Sequence, residues 1–249
     1  MSECLLFLLG HEQIILLSMP NFKQRSYQKE LMDLGDFSEK DFRQNLYELK
    51  LTNIYLGGHG ATLKTLKKLI KKKPQSNYTL ADVASGGGDS LLAMAKWSKS
   101  KGHSIDFTGV DLNEFCTSYA RQQTNEFKNI TFVTKPYQEE INTYDIITCA
   151  LFTHHLNEEE LDHYLLWAKE HSRLGFIIND LQRHPLAYFN IKWISWLFPF
   201  SYLYKNDAPL SVLRSFKRSD WEKKAKALGL ELKIKWHWAF RYSVCYLKK

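Results

Sequence analysis

Apolar positions recur with two different periods along this chain, and the change of period divides it. Ser38-Glu39-Lys40-Asp41 reads as a helix cap with an acidic first turn, and Phe42, Leu46, Leu49 and Leu56 follow at helical spacing. Gly57-Gly58-His59-Gly60 should stop that helix. A second helix, from about Ala61 to Lys72, turns Leu63, Leu66, Leu69 and Ile70 to one side before Pro74 closes the segment. From Tyr78 onward, short apolar runs alternate with amphipathic stretches. Strands are predicted at Tyr78–Ala84, Ile105–Leu112, Ile130–Val133, Tyr144–Leu151 and Leu174–Asn179, with helices at Asp89–Lys99 and Glu114–Thr124. Another helix starts at Asn157, an Asx cap followed by Glu158, Glu159 and Glu160 at the positive end of the helix dipole. This alternation signals a mainly parallel sheet covered on both faces.

The two ends of the chain follow other rules. Trp221–Leu228 reads as a helix, Gly229 as its stop, and Leu230–Trp238 and Phe240–Leu247 as strands. The turn between those strands is too short for a parallel crossover, so the pair should be antiparallel. Near the start, Leu5–Leu9 and Ile14–Leu17 are apolar runs split by Gly10-His11-Glu12-Gln13. Each is too short to cross a bilayer, and the basic start and small-residue cleavage site of a signal peptide are missing, so a packed terminal element is expected.

Composition narrows the class. A chain of 249 residues with 44% hydrophobic and 24% charged positions is neither disordered nor fibrous, and it can bury one substantial core. A net charge of +7 brings anionic ligands, nucleic acid and phospholipid surfaces into view. The lysine run Lys67, Lys68, Lys71, Lys72 and Lys73, however, reads as a solvated helix face. Cys4, Cys116, Cys149 and Cys245 contain no CxxC spacing, which favours reduced core thiols, and no metal site is expected.

Candidate chemistry begins at Ala81-Asp82-Val83-Ala84-Ser85-Gly86-Gly87-Gly88-Asp89-Ser90, an apolar strand running through three glycines into a helix. Glycines let the backbone approach a ligand without Cβ obstruction, and a helix start offers free N–H groups. A plain tight turn has the same pattern, since the strict GxGxxG spacing is absent. Asp111 adds context: it ends the next strand 29 positions after Asp82, where a carboxylate can accept both hydroxyls of a ribose. Together these segments resemble the class I S-adenosylmethionine-dependent methyltransferases, and more narrowly the bacterial small-molecule biosynthetic members. The resemblance covers roughly Tyr78 to Lys249, with a weaker match through Tyr27 to Leu69. It implies an α/β, Rossmann-like, seven-stranded, mainly parallel sheet with an antiparallel C-terminal strand pair. It also implies an N-terminal helical lid over residues 1–75 and a methyltransferase domain over 76–249, with an acceptor-cover insertion near 185–215. The cofactor so implied is S-adenosyl-L-methionine, held by Asp82, Ala84, Ser85, Gly86, Gly88, Asp111 and Leu112. Ala84 stands where the family loop often has its first glycine. Tyr137 follows the third strand and either stacks on adenine or anchors the next helix.

Acceptor groups are expected at the later strand ends. Cys149-Ala150-Leu151-Phe152-Thr153-His154-His155 follows the fourth strand, and an imidazole there can take an acceptor proton near neutral pH. Adjacent side chains are expected to diverge, so one histidine should act, with His155 preferred over His154. After the fifth strand, Asp180 can orient His184 or accept a substrate hydroxyl, and Arg183 can bind a phenolate or carboxylate. His59, in the glycine-rich break, joins the substrate side. Pro185 to Tyr204 carries eight aromatic residues, including Trp193 and Trp196, and is broken by Pro199. It reads as an apolar cover over the site, with monotopic membrane contact as a second use.

The function expected is methylation, on oxygen by preference, of a small hydrophobic phenolic or hydroxylated metabolite in the cytoplasm. RNA methylation and a nonenzymatic cofactor-binding scaffold are the alternatives. The chain carries no recognisable nucleic-acid module, so no specific nucleic acid is expected as a partner. Peripheral membrane contact and a homodimer stay open.

Overall fold

The computed structural model describes residues 20–249, so the two N-terminal apolar runs and Cys4 lie outside the described residues. Helices α1 (Leu31–Leu34), α2 (Glu39–Tyr55) and α3 (Gly58–Lys72) precede the sheet. Ser38 caps α2 as its sequence requires, its side chain accepting from the Asp41 N–H. The break before α3 is narrower than the four-residue glycine-rich stretch suggested. Only Leu56 and Gly57 interrupt the helices, and Gly57 turns the chain with a left-handed φ of 75°. A Cβ there would lie 2.3 Å from the Trp238 carbonyl oxygen, so glycine also permits a close crossing of two chain segments.

The sheet has seven strands: β1 (Asn77–Val83), β2 (Ser104–Asp111), β3 (Ile130–Thr134), β4 (Tyr144–Ala150), β5 (Ser172–Leu181), β6 (Leu232–His237) and β7 (Arg241–Leu247). They lie in the order β3-β2-β1-β4-β5-β7-β6. The first five strands pair in parallel, and β7 runs antiparallel between β5 and β6. This is the Rossmann-like mixed sheet with its terminal antiparallel pair that the hydrophobic pattern and the resemblance anticipated.

Alternating strand residues feed two cores, because successive side chains point to opposite faces. Leu80, Ile146 and Ile177 meet α3, α4 (Asp89–Lys101) and α5 (Glu114–Gln123) on one face. Ala81, Ile147, Cys149 and Ile178 meet α6 (Glu158–His171) and α9 (Arg218–Ala227) on the other. Leu66 and Leu69 of α3 are fully buried against the sheet, each worth about 1.5–3 kcal/mol by apolar area. Helix α3 therefore belongs to the covering layer. The cap is built instead by α1 and α2 against α7 (Pro185–Leu197) and α8 (Tyr202–Arg214). Cys116, Cys149 and Cys245 are free and buried, as thiols in a reduced core would be.

Candidate active site

Strand order reverses between β1 and β4, and the carboxyl ends of those strands open the crevice where ligands of this architecture bind. At the end of β1 the chain turns through Ala84 (φ 52°), Gly86 (φ 50°) and Gly88 (φ 74°) before α4. Ala84 thus adopts a conformation that glycine adopts more easily, which explains why the family loop often has a glycine there. A Cβ built on Gly86 would meet no atom within 4 Å, so the loop presents open backbone to the crevice. Asp111 reaches across from β2 and accepts from the Gly86 N–H at 2.8 Å and from the Asn113 N–H at 2.9 Å. Burial pushes its pKa up against those two donors, and the exposed Leu112 stands beside it.

Asp82 lies beneath the loop, 2% exposed, and takes a 2.6 Å hydrogen bond from Thr148 Oγ1. Burial raises its pKa to about 7, with the neighbouring Asp89 and Asp111 adding to the rise against the Thr148 bond. At the start of α4, Asp89 is held by His59 Nε2 at 2.7 Å and Asn53 Nδ2 at 3.0 Å. Burial raises the Asp89 pKa, but the His59 contact outweighs it and the net shift is downward.

Across the crevice the ends of β4 and β5 meet the cap around a cavity of about 290 Å3. Leu49, Leu56, Leu181, Ile191, Trp193 and Phe240 supply much of its apolar wall. The charged or titratable groups that reach it are Glu30, His154, His155, Tyr204 and Arg241. A short turn of 3-10 helix, Thr153–His155, follows β4 and stacks both imidazoles on one side, with ring centroids 4.4 Å apart. The expectation that the adjacent histidines diverge is therefore corrected: the tight turn sends both rings toward Glu30.

His154 is 3% exposed, and its Nδ1 lies 2.7 Å from Asp180 Oδ1. Asp180 also accepts from Thr153 Oγ1 and from the His154 and Leu181 N–H groups. Burial lowers the His154 pKa, but Asp180 and Glu30 more than reverse this and carry it up to about 9. Asp180 moves the other way: burial is outweighed by His154 and its pKa falls to about 2. His155 Nδ1 pairs with Asp33 at 2.9 Å, and Arg214 Nη1 pairs with the other Asp33 oxygen at 2.7 Å. The ligand-capable atoms of Glu30, His154 and His155 all lie within 4.8 Å of one another. On the far wall, Arg241 is 1% exposed and donates from Nη2 to Asn53 Oδ1, while its Nε and Nη1 have no partner among the described residues.

Several residues singled out in the sequence sit elsewhere. Tyr137 is 8% exposed, with its ring edge-on to Phe152, Tyr164 and Trp167 in the core, the placement of an aromatic that anchors the next helix. Asp180 orients His154, not His184. His184 instead caps α7, its Nδ1 accepting from the Leu186 N–H, and stacks on Phe240. The Arg183 guanidinium is taken up by Asp220, the Ser215 carbonyl and the Phe22 carbonyl, which ties β5 to α8 and α9 and leaves it off the cavity wall. His59 serves Asp89 and does not line the cavity. Trp193 lines the cavity, whereas Trp196, 76% exposed, does not. Buried α7 positions recur at Ala187, Ile191 and Ser195, and Trp196 falls off that stripe. Glu30, Asp33, Arg214 and Arg241 were missed by the sequence reading; no local pattern marks any of them.

The fold and the crevice define a class, and comparison with known proteins fixes it. Residues 80–204 match the family model described as "Methyltransferase domain", and the chain belongs to that family as a class I S-adenosylmethionine-dependent methyltransferase. Its cofactor is accordingly S-adenosylmethionine. Among curated proteins it is similar to the ubiquinone/menaquinone biosynthesis C-methyltransferase UbiE of Rickettsia akari, 34% identical over 91 residues, covering 33% of this chain and 36% of the relative. The same protein of Rickettsia prowazekii is 34% identical over 89 residues, with 33% and 36% covered. The chain thus matches little more than a third of the length of those relatives. Two solved structures share the fold. Magnesium protoporphyrin IX methyltransferase of Synechocystis PCC 6803 with bound SAM has a TM-score of 0.59 at 14% identity, covering 87% of this chain and 94% of that one. The plantazolicin methyltransferase BpumL in complex with SAH has a TM-score of 0.62 at 13% identity, covering 87% and 92%.

Proposed function

We propose that this methyltransferase acts on the hydroxyl of a small, hydrophobic, phenol-like molecule bound in the cavity between the cap and the ends of β4 and β5. The observation that carries this reading is the cavity itself: a largely apolar wall with titratable groups gathered at Glu30, His154 and His155. A ring system can fill the apolar part while a hydroxyl meets the imidazoles. Arg241 adds a second feature. A buried guanidinium with two unpartnered nitrogens is costly, and a carbonyl or carboxylate oxygen on the acceptor would satisfy it.

Methyl transfer from a sulfonium is a direct displacement, and its main demands are alignment and exclusion of water. Asp111 and the Ala84–Gly88 loop are proposed to hold the ribose and the amino-acid part of the cofactor. Asp82, buried under the loop, supports it from below, and Leu112 covers the base. Across the crevice, His154 is held by Asp180 in one orientation and presents Nε2 to the cavity, beside His155. Helices α1, α2, α7 and α8 serve as the lid that excludes water. The boundary near residue 75 then separates chain segments and not folding layers, since α3 packs on the sheet.

Methylation at a ring carbon next to the hydroxyl is a second reading, favoured by the C-methyltransferase relatives. An ionised phenol is nucleophilic at both positions, so the same cavity serves either. RNA methylation has less support. Lys64, Lys68, Lys72, Lys233 and Lys235 form a basic groove between α3 and β6, but it shares no residue with the cavity. No helix among the described residues is long and apolar enough to cross a membrane. The exposed Trp193, Trp196, Leu197 and Phe198 support peripheral contact of a cytoplasmic enzyme with a lipid surface or a second copy.

The test is S-adenosylhomocysteine release with a panel of quinols, hydroxylated polyaromatics and RNA oligonucleotides. Product NMR then separates oxygen from carbon methylation. Turnover confined to the phenolic compounds is expected; turnover confined to RNA would overturn the reading.

A further inference from the structure

We propose that Glu30, His154 and His155 form a site for one divalent transition-metal ion, whose open coordination position faces the acceptor cavity. The ion's part in the reaction rests on the acceptor reading above; the site itself does not. His154 Nε2 lies 3.6 Å from Glu30 Oε1, and His155 Nε2 lies 3.8 Å from Glu30 Oε2. An ion about 2.0–2.2 Å from each donor in tetrahedral geometry needs donors about 3.4 Å apart, so the three donors, all within 4.8 Å of one another, draw together to hold it.

The surrounding groups fix the orientation of the ligands. Each imidazole anchors its Nδ1 on a carboxylate, His154 on Asp180 at 2.7 Å and His155 on Asp33 at 2.9 Å. Such pairing directs the Nε2 of each ring toward Glu30, the position from which an imidazole binds a metal once that nitrogen carries no proton. Both carboxylates are themselves held. Asp180 accepts from Thr153 and two backbone N–H groups, and Asp33 from Arg214 and the Glu30 N–H. Glu30 Oε1 accepts from Ser211 Oγ at 2.9 Å and has Arg214 Nη1 at 3.6 Å. Glu30 Oε2 is left for an ion.

An ion-pair cluster made only for stability would need Arg214 to meet Glu30 and Asp33. Two imidazoles that converge on one carboxylate at the cavity wall suit such a cluster when protonated and a metal when Nε2 is free. Two imidazoles and a carboxylate, without thiolate, suit zinc or ferrous iron better than calcium or magnesium. Three protein ligands with a position left open are the mark of a catalytic and not a structural ion.

All three ligand residues line the cavity, so an acceptor hydroxyl can take the open position. On coordination its proton passes to water. The resulting oxygen anion forms the new bond to the methyl carbon as the carbon–sulfur bond breaks, and the electron pair of that bond stays on sulfur. S-adenosylhomocysteine and the methyl ether are the products.

The probe is Co2+ added to the full chain, purified without a polyhistidine tag and stripped with chelator. One Co2+ per chain is expected by elemental analysis, with the visible absorption of a four- or five-coordinate ion. His155→Gln and Glu30→Gln should each weaken binding at least about tenfold, while His184→Gln leaves it unchanged. Circular dichroism and calorimetry with S-adenosylmethionine check fold and cofactor binding in every variant. A parent protein that takes up no Co2+ or Zn2+, or binding that survives both ligand substitutions, overturns the proposal. The metal-uptake measurement on the parent does not depend on any variant folding. Phenol turnover retained after the ion is stripped overturns the ion's part in the reaction and leaves the acceptor reading. Co2+ bound at these residues in a protein that methylates no phenol keeps the site and removes the acceptor reading.

Discussion

The two sides of the crevice are built in opposite ways. On the proposed cofactor side, Ala84, Gly86, Gly88 and Asp82 come from one stretch of chain and Asp111 from the next strand, and much of what the loop offers is backbone. On the proposed acceptor side, Glu30 precedes α1, His154 and His155 follow β4, Asp180 ends β5, Arg214 ends α8 and Arg241 begins β7. A contiguous backbone cradle depends on local conformation. A cluster assembled from five distant segments depends on the whole cap being docked, and it can change its chemistry without disturbing the cradle.

The largest expected effect lies under the cradle. Asp82 has its pKa raised to about 7, so between roughly pH 4 and pH 7 the native state holds a proton that the unfolded chain has lost. Its contribution to stability is therefore complete below pH 4 and lost as pH rises through 7. Asp82→Asn keeps the Thr148 hydrogen bond and removes that loss. Without cofactor, the variant should match the parent at pH 4 and exceed it by ~2–4 kcal/mol at pH 8 in urea unfolding. Parallel pH profiles would show that Asp82 ionises freely in the fold.

Next comes Asp111→Ala. Losing a charged hydrogen bond of about 1.5–3 kcal/mol should weaken S-adenosylmethionine binding roughly 10- to 150-fold by calorimetry. The same change should loosen the loop, because Asp111 also holds the Gly86 N–H. An unchanged isotherm would take Asp111 out of the cofactor site.

Asp180→Asn probes the other side. Without the carboxylate that orients His154, kcat should fall about 10- to 100-fold while cofactor affinity stays put. Equal losses in both would mean that the two sides are one mechanical unit and would break the contrast.

The same division explains what the sequence disclosed. Runs such as Leu80–Val83 and Ile146–Cys149 announce buried strands by their apolar character, and the glycine loop announces a turn, because those signals are local. Ala84 was legible as a displaced glycine position, and its φ of 52° is the physical reason. Glu30 was not legible: it is a single acid between Lys29 and Leu31 with no motif around it, and only docking of α1 onto α8 buries it to 2% exposure. The histidine pair was visible, but the 3-10 turn that aligns the rings was not. Tyr137 was left open because an aromatic residue after a strand suits a purine platform and a core equally well, and only the fold shows the three aromatic rings that surround it.

The smallest effect separates two tryptophans. Trp193 lines the cavity and Trp196 does not, although both are largely exposed. Trp193→Ala should raise KM for bulky acceptors several-fold, roughly the 1 kcal/mol of a partly buried side chain, with cofactor affinity unchanged. Trp196→Ala should leave the kinetics alone and reduce association with liposomes. Identical kinetic losses in the two variants would show that α7 acts through folding and not through contact with the acceptor.

The division into cradle and cavity is tested most directly by a crystal structure of the full chain with S-adenosylhomocysteine. The ribose hydroxyls should lie within hydrogen-bond reach of the Asp111 carboxylate, and the sulfur should open onto the cavity beside His154 and His155. A ribose held elsewhere, or a sulfur walled off from the two imidazoles by protein, would contradict it.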